Sequence, residues 1–193
     1  GFNVTTGFKS TYIGGNAGYF ATTADTTTFI GFKAGQGITS AKLTGNHNVA
    51  VGANAGLLLQ GAAAENTVVG TDSGDAITTG TRTVAVGYNA GGGITSGDSN
   101  VAIGWQALMT EDAHSNNVAV GASALQTQNA GAHAYNTALG FEAGKAVTSG
   151  IYNTLIGGNA GDALTDADFN VAVGLGALGS DTLGSRSTAL GYA

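Results

Sequence analysis

The feature that most constrains this chain is a short cassette, Asn-Val-Ala-Val-Gly-x-Asn-Ala-Gly, that recurs along its whole length. The glycine that follows the apolar triplet is called the anchor glycine, and positions within each copy are counted from it. Seven of the ten spacings between successive anchor glycines are 17 residues. A fixed short period predicts a single array over residues 1–193, in which each copy forms one rung stacked on the next. The anchor glycines are Gly14, Gly31, Gly52, Gly70, Gly87, Gly104, Gly121, Gly140, Gly157, Gly174 and Gly191.

The three residues before each anchor glycine predict a β-strand. The last of them is always a branched aliphatic residue, and the first is always Val or Thr. Alternate residues of a strand share one face, and β-branched side chains suit a pleated sheet. We therefore predict an all-β solenoid or roll of about eleven rungs, whose structural core is formed by the last residue of each triplet. These residues are Ile13, Ile30, Val51, Val69, Val86, Ile103, Val120, Leu139, Ile156, Val173 and Leu190.

The middle residue of the triplet faces the other way and is Ala in seven of the eleven copies. No copy has Lys, Glu, Ser or Thr at this position, so both faces of the strand are expected to be covered. We expect one face to fill the coil and the Ala-rich face to pack against other chains in a homotrimer. The alternative is a monomeric solenoid with an Ala-rich outer face.

Two further positions alternate in a way that predicts a filled interior. The residue four after the anchor glycine is Gly in some copies and Leu in others. Where it is Gly, the residue seven after the anchor is apolar, as in Gly91 with Ile94. Where it is Leu, the residue seven after the anchor is polar, as in Leu108 with Glu111 and Leu125 with Gln128. If the interior volume is the same in every rung, each rung needs one large apolar side chain, which we call the plug. The plug is expected to come from one of these two positions.

Asn opens the strand in seven copies, and no proline occurs anywhere in the chain. Asn stacked at the rung spacing is expected to form a ladder of side-chain amides. The absence of Pro fits coils that must each donate backbone N–H groups to the next. The anchor glycine and the polar residue two positions later are expected to form a corner.

Composition excludes several classes of protein. The chain has 34 Gly where average use would give roughly 14, but Gly never recurs at every third position, which excludes collagen. Without cysteine there is no disulfide framework or thiolate site. The net charge of −6 with six scattered cations argues against nucleic acid as a partner. No apolar run approaches a membrane span, so no membrane insertion by this segment is expected.

Catalysis and metal binding find little support in the sequence. His47, His114 and His133 lie between strands at unrelated positions of their rungs, so we predict solvated loop residues, no catalytic residues and no cofactor. Glu111 and Asp112 are expected at the surface.

The densest acidic stretch, Asp162, Asp166 and Asp168, has enough carboxylates for Ca²⁺ but lacks the repeat of calcium-binding rolls. A solvated turn is therefore expected there, and no metal site.

Aromatic residues and insertions mark the candidate binding surfaces. The position after the anchor glycine is often aromatic, and Trp105, Tyr88 and Phe141 are candidates for stacking on sugars. The favoured interpretation is that such rings pack at the corner or between chains. The longest spacings insert residues within 37–47 and 126–135, and projecting loops often carry binding function. The favoured interpretation of both insertions is that they are surface loops without a binding role.

The cassette resembles known fibre repeats. Asn-Val-Ala-Val-Gly and Asn-Val-Ala-Ile-Gly resemble the head repeats of trimeric autotransporter adhesins. The longer unit from Gly87-Tyr88-Asn89-Ala90-Gly91 to Ile94-Thr95-Ser96-Gly97 is similar to the shafts of phage tail fibres and bacterial surface fibres that end in an endosialidase-type chaperone. The resemblance covers essentially the whole chain. It implies a parallel β-roll in which three chains wind round a common axis.

These observations predict a non-enzymatic segment of an extracellular fibre, on a virion tail or a bacterial surface. Such a rod would position a tip for attachment to a cell-surface glycan or protein receptor. Gly1 and Ala193 both fall in corner positions, so we expect a segment of a longer chain. The alternative function is a monomeric solenoid that binds ice or polysaccharide. Thr27, Thr28 and Thr83 do not continue as the flat Thr ladder that ice binding needs.

Overall fold

The chain forms a parallel β-solenoid in which each strand pairs with the strand of the next rung. The computed structural model describes residues 7–192, so the corner positions expected for Gly1 and Ala193 lie outside it. One sheet contains eleven strands in sequence order, all parallel. Equivalent residues pair directly, as Val84 does with Val101. The strands are β1 (Thr11–Ile13), β2 (Thr28–Ile30), β3 (Val49–Val51), β4 (Thr67–Val69), β5 (Val84–Val86), β6 (Val101–Ile103), β7 (Val118–Val120), β8 (Thr137–Leu139), β9 (Thr154–Ile156), β10 (Val171–Val173) and β11 (Thr188–Leu190).

The anchor glycines allow the rungs to approach each other closely at the corner after each strand. In every rung the anchor has a positive φ, such as 135° at Gly87. A Cβ on Gly87 would lie 2.5 Å from the carbonyl oxygen of Gly104, the anchor of the following rung. No side chain fits at that separation, so glycine is required at this position of the repeat.

The Asn side chains tie neighbouring rungs together, but mainly through the backbone. Asn66 Oδ1 accepts a hydrogen bond from the backbone N–H of Thr83 at 2.9 Å, and its Nδ2 donates to the carbonyl of Gly80 at 2.8 Å. Asn153 makes the equivalent pair of bonds, to Asn170 and Ala167. Between Asn48 and Asn66 a direct amide–amide bond also forms, at 3.1 Å. The expected amide ladder is thus largely a ladder of side-chain-to-backbone bridges.

The face of each strand that points into the coil is the opposite of the one we predicted. The Ala-rich middle residues point into the coil: Ala85, Ala102 and Ala119 have no solvent exposure. The eleven branched aliphatic residues that we predicted as the core lie instead on the outside of the single chain, where Ile103 is 37% and Leu139 48% exposed. The prediction of those residues as the core, and of the Ala face as an interchain surface, is wrong. Where the middle residue is Ala, it leaves room for the plug in the interior.

The alternation of the plug residue is confirmed in seven rungs. Where the residue four after the anchor glycine is Gly, the residue seven after it is fully buried; these residues are Leu59, Ile77, Ile94, Val147 and Leu164. Where the residue four after the anchor is Leu, that Leu itself is fully buried, as Leu108 and Leu125 are. Both arrangements share one backbone conformation, because φ is 50° at Leu108 and 58° at Gly91.

The second rung departs from this alternation. Ile38, expected as its plug, is only half-buried and pairs with Ala41 in an antiparallel bridge. Leu43, from the insertion, is fully buried. The longer spacing therefore supplies its own apolar side chain to the interior.

Candidate functional site

The first candidate surface is the outer strand face, which we define as the first and third residues of β1–β11. Every residue of this face is Thr, Val, Ile or Leu. Ile13, Ile103 and Leu139 are among the exposed large apolar residues of the chain. An uncharged and largely apolar strip of this kind is typical of a surface that associates with another molecule.

The predicted aromatic residues lie beside this face, directly after the anchor glycines. Tyr88 is 49% exposed, Trp105 52% and Phe141 58%. Tyr88 and Trp105 occupy successive rungs, whereas Ala122 separates Trp105 from the rung of Phe141. All three rings are therefore accessible in the single chain, both to a ligand and to a second chain.

A second aromatic column was missed by the sequence reasoning. Tyr135, Tyr152 and Phe169 each precede the Asn that opens a strand, and their rings stack with centroids 5.4 Å and 5.0 Å apart. The Arg186 guanidinium lies 5.4 Å from the centroid of Phe169 and extends the column. The recurrence of aromatic residues before Asn was the available signal. Because the ring faces cover one another, mainly their edges are left for other contacts.

Glu111 is not at the surface, which corrects the sequence-based expectation. It is fully buried, and it is the only charged residue in that class within residues 7–192. Its Oε1 lies 2.9 Å from His114 Nδ1, and its Oε2 accepts a hydrogen bond from Asn117 Nδ2 at 3.3 Å. Burial raises the pKa of the Glu111 carboxyl, and the hydrogen bond from His114 opposes that effect.

Asp112 lies close to this buried carboxyl group, and His133 bonds to the same loop. Asp112 Oδ1 is 3.6 Å from His114 Nδ1, and the backbone N–H of Ser115 donates to His133 Nδ1 at 3.2 Å. His114 and His133 each precede a strand by four residues, and Val118 pairs with Thr137. The expectation that these two histidines occupy unrelated positions is therefore wrong, because they occupy equivalent positions in successive rungs.

The other acidic stretch is used in bonds between and within rungs. Asp162 Oδ2 accepts a hydrogen bond from Asn159 Nδ2 at 3.0 Å, and Asp168 Oδ1 accepts one from the backbone N–H of Ile151 at 2.8 Å. Asp166 is exposed. The three side chains thus have separate surroundings.

The two insertions lie against the solenoid. In the first, Asn46 and His47 line a groove of about 330 Å³ together with residues of the two preceding rungs; these are Phe8, Lys9, Asp25 and Thr26. In the second, Gln126 Nε2 donates to Gln106 Oε1 at 2.8 Å, and Thr127 Oγ1 donates to the carbonyl of Lys145 at 2.7 Å. Both insertions therefore add contacts to neighbouring rungs.

Comparison with known proteins found no family model that matches the chain and no match among curated proteins. Within residues 7–192 there is no helix with the length and apolar character that crossing a membrane requires.

Proposed function

We propose that this chain is a non-enzymatic shaft or head segment of an extracellular trimeric adhesion fibre. The fibre would belong to a phage tail or a bacterial surface and would hold a receptor-binding tip away from the particle or cell. Its immediate partners would be two further copies of the same chain. The tip would attach to a glycan or protein on the target cell.

The observation that carries this proposal is the outer strand face. Eleven parallel strands at a spacing of about 4.8 Å make a strip of roughly 50 Å. The strip contains only Thr, Val, Ile and Leu and is uncovered in the single chain. Three copies that turn this face toward a common axis would bury it, and only residues without charge would be tolerated there.

The bonding between rungs suits a mechanical role. Parallel strand pairing joins every rung to the next, and the Asn side chains add bridges to the backbone of the following rung. The anchor glycines hold neighbouring corners in close contact. A rod built this way has few unpaired backbone segments to open locally, which supports stiffness and resistance to proteases.

The test is the native mass of the chain and of one charged variant. Light scattering in line with size exclusion should give three times the 18.8 kDa chain mass. Ile103→Lys places a charge on the outer strand face at a position that is accessible in the single chain, so it should dissociate the trimer without unfolding the coil. Thr79→Lys, on an exposed residue away from that face, should remain trimeric.

A folded monomer of the parent chain would contradict the trimer. In that case the alternative of a monomeric solenoid that binds polysaccharide or ice would be preferred. Pull-down on insoluble polysaccharides, with Trp105→Ala and Tyr88→Ala as comparison variants, would then test whether the exposed rings bind sugar.

A further inference from the structure

We propose that Glu111, Asp112 and His114 bind one divalent transition-metal cation of the Zn²⁺ type in the loop between β6 and β7. Each side chain offers one ligand atom, and these atoms all lie within 4.8 Å of one another. The site goes beyond the structural function proposed above and does not depend on it.

The spacing of the ligand atoms fits a common metal. His114 Nδ1 lies 2.9 Å from Glu111 Oε1 and 3.6 Å from Asp112 Oδ1. Tetrahedral Zn²⁺ with bonds of about 2.0–2.2 Å places its ligand atoms roughly 3.3–3.6 Å apart. The Glu111–His114 contact must widen slightly, and the Glu111 and Asp112 oxygens, which lie within 4.8 Å of each other, must adopt the same spacing. The hydrogen bond between Glu111 and His114 is replaced by two metal bonds. A neutral imidazole binds through Nδ1 as the tautomer protonated at Nε2, and an imidazolium releases its Nδ1 proton to solvent.

The charge of the cluster favours a cation. The Glu111 carboxylate is fully buried, and its only ion-pair partner within residues 7–192 is His114. With a neutral imidazole, Glu111 and Asp112 together carry two negative charges. Removing a carboxylate from water is unfavourable unless a counter-charge is present. A divalent cation would balance both carboxylates at once.

The surroundings orient the buried ligand and leave a path for the ion. Asn117 Nδ2 holds Glu111 Oε2 at 3.3 Å, which leaves Oε1 directed toward His114. Such a second partner is typical of metal-binding carboxylates. The side chain of His114 is 18% exposed and that of Asp112 51% exposed. A cation can therefore reach the site from solvent.

The neighbouring rung shows that the fold does not need a carboxylate at this position. Gln128 is the equivalent of Glu111 one rung later and is also fully buried. Its Oε1 accepts a hydrogen bond from Asn136 Nδ2 at 2.7 Å, as Glu111 accepts one from Asn117. In both rungs a Leu fills the interior, so the polar residue is not the plug. The charge of Glu111 is therefore available for a ligand.

The experiment titrates the chain with Zn²⁺ after removal of metals with EDTA. Calorimetry should show one saturable site per chain, and Co²⁺ bound in its place should give the visible absorption of a site with a nitrogen ligand. Glu111→Gln, which copies the natural Gln128, should weaken Zn²⁺ binding at least ten-fold. His114→Gln should do the same and abolish the Co²⁺ spectrum.

Two controls make the outcome decisive. Asp162→Asn removes a carboxylate outside the cluster and should leave the affinity unchanged. Circular dichroism establishes that each variant is folded, and if Glu111→Gln does not fold, His114→Gln decides the question. Absence of saturable Zn²⁺ binding, equal binding by the folded variants, or a preference for Ca²⁺ over Zn²⁺ would overturn the proposal.

Discussion

The rungs of β5 and β6 share one backbone but fill their interiors from different positions. In the β5 rung Gly91 leaves space that Ile94 occupies, and a Cβ on Gly91 would lie 2.9 Å from the Ile94 side chain. In the β6 rung Leu108 occupies the interior itself. The residue at the position of Ile94 is then free to be polar, and it is Glu111. Constant interior volume therefore explains why a buried charge is found in one rung and not in its neighbour.

The largest effect should come from deleting part of a rung, and deletion of a whole rung is the comparison that shows it. Removal of residues 101–117 takes out the whole β6 rung and places the rung of Leu125 directly on that of Ile94. If the two kinds of rung are interchangeable, stability should fall only by about one rung's share, and the rod should shorten by about 4.8 Å. Removal of residues 110–117 shifts the strand and plug positions out of register and should unfold the neighbouring rungs.

Chemical denaturation and small-angle scattering of both deletions beside the parent would measure these effects. Equal damage from the two deletions would show that the rungs are not equivalent modules.

A cavity in the β5 rung should have the next largest effect. Ile94→Ala removes the plug, and no residue at position 91 replaces it, so unfolding should become easier by about 2–5 kcal/mol per chain. Urea denaturation measures this difference. Thr79→Ala, at an exposed position, should change the free energy of unfolding by less than about 0.5 kcal/mol. A loss for Ile94→Ala as small as that control would mean that the interior is not tightly packed.

Moving the plug should restore part of that loss. Adding Gly91→Leu to Ile94→Ala reproduces the arrangement of the β6 rung, and the φ of Gly91 matches that of Leu108. We expect a recovery of about 1–2 kcal/mol relative to Ile94→Ala alone, because a Leu side chain is again buried. A double-mutant cycle in urea would measure this recovery.

The β4 rung is the matched control for that exchange. A Cβ at Gly74 would lie 2.7 Å from Val68 as well as 2.8 Å from Ile77, so truncating Ile77 does not make room there. Gly74→Leu with Ile77→Ala should therefore give no recovery. Rescue in both rungs, or in neither, would refute the role assigned to the middle residue of the strand.

The smallest effect concerns the charge of Glu111 and depends on pH. Because burial raises its pKa above the ordinary value of 4.5, the folded chain holds this proton more tightly than the unfolded chain. Stability from this group is full below pH 4.5 and is lost as pH rises through the raised pKa. His114 and Asp112 face the same carboxyl group, and the hydrogen bond from His114 limits the loss.

Glu111→Gln in EDTA should therefore gain stability relative to the parent as pH rises from 4 to 7. Thermal unfolding across that range measures the gain, and Asp162→Asn serves as the control. A difference between Glu111→Gln and the parent that does not change with pH would contradict the role of burial.

The sequence alone determined the architecture, because the residue type at each equivalent position of the repeat is set by a local steric or conformational requirement. A carbonyl oxygen at 2.5 Å excludes every side chain from the Gly87 position, and β-branched residues before it favour a strand. The alternation of Gly91 with Leu108 followed from a constant volume of the interior. The first two constraints recur in every copy and the third in most copies, so the repeat pattern is enough to reveal them.

Only the tertiary structure decided which face of the strand lies inside. Neither face carries charge, so periodicity could not distinguish the Ala column from the Val and Ile column. The structure places the middle residue inside whether it is Ala, as at position 85, or large, as at Phe29 and Leu155, which are also fully buried. The same applies to Glu111, His114 and Asp112, because their meeting depends on Leu108 filling the interior and on where the loop returns to β7. Such contacts depend on the packing of particular side chains, which the repeat pattern does not encode.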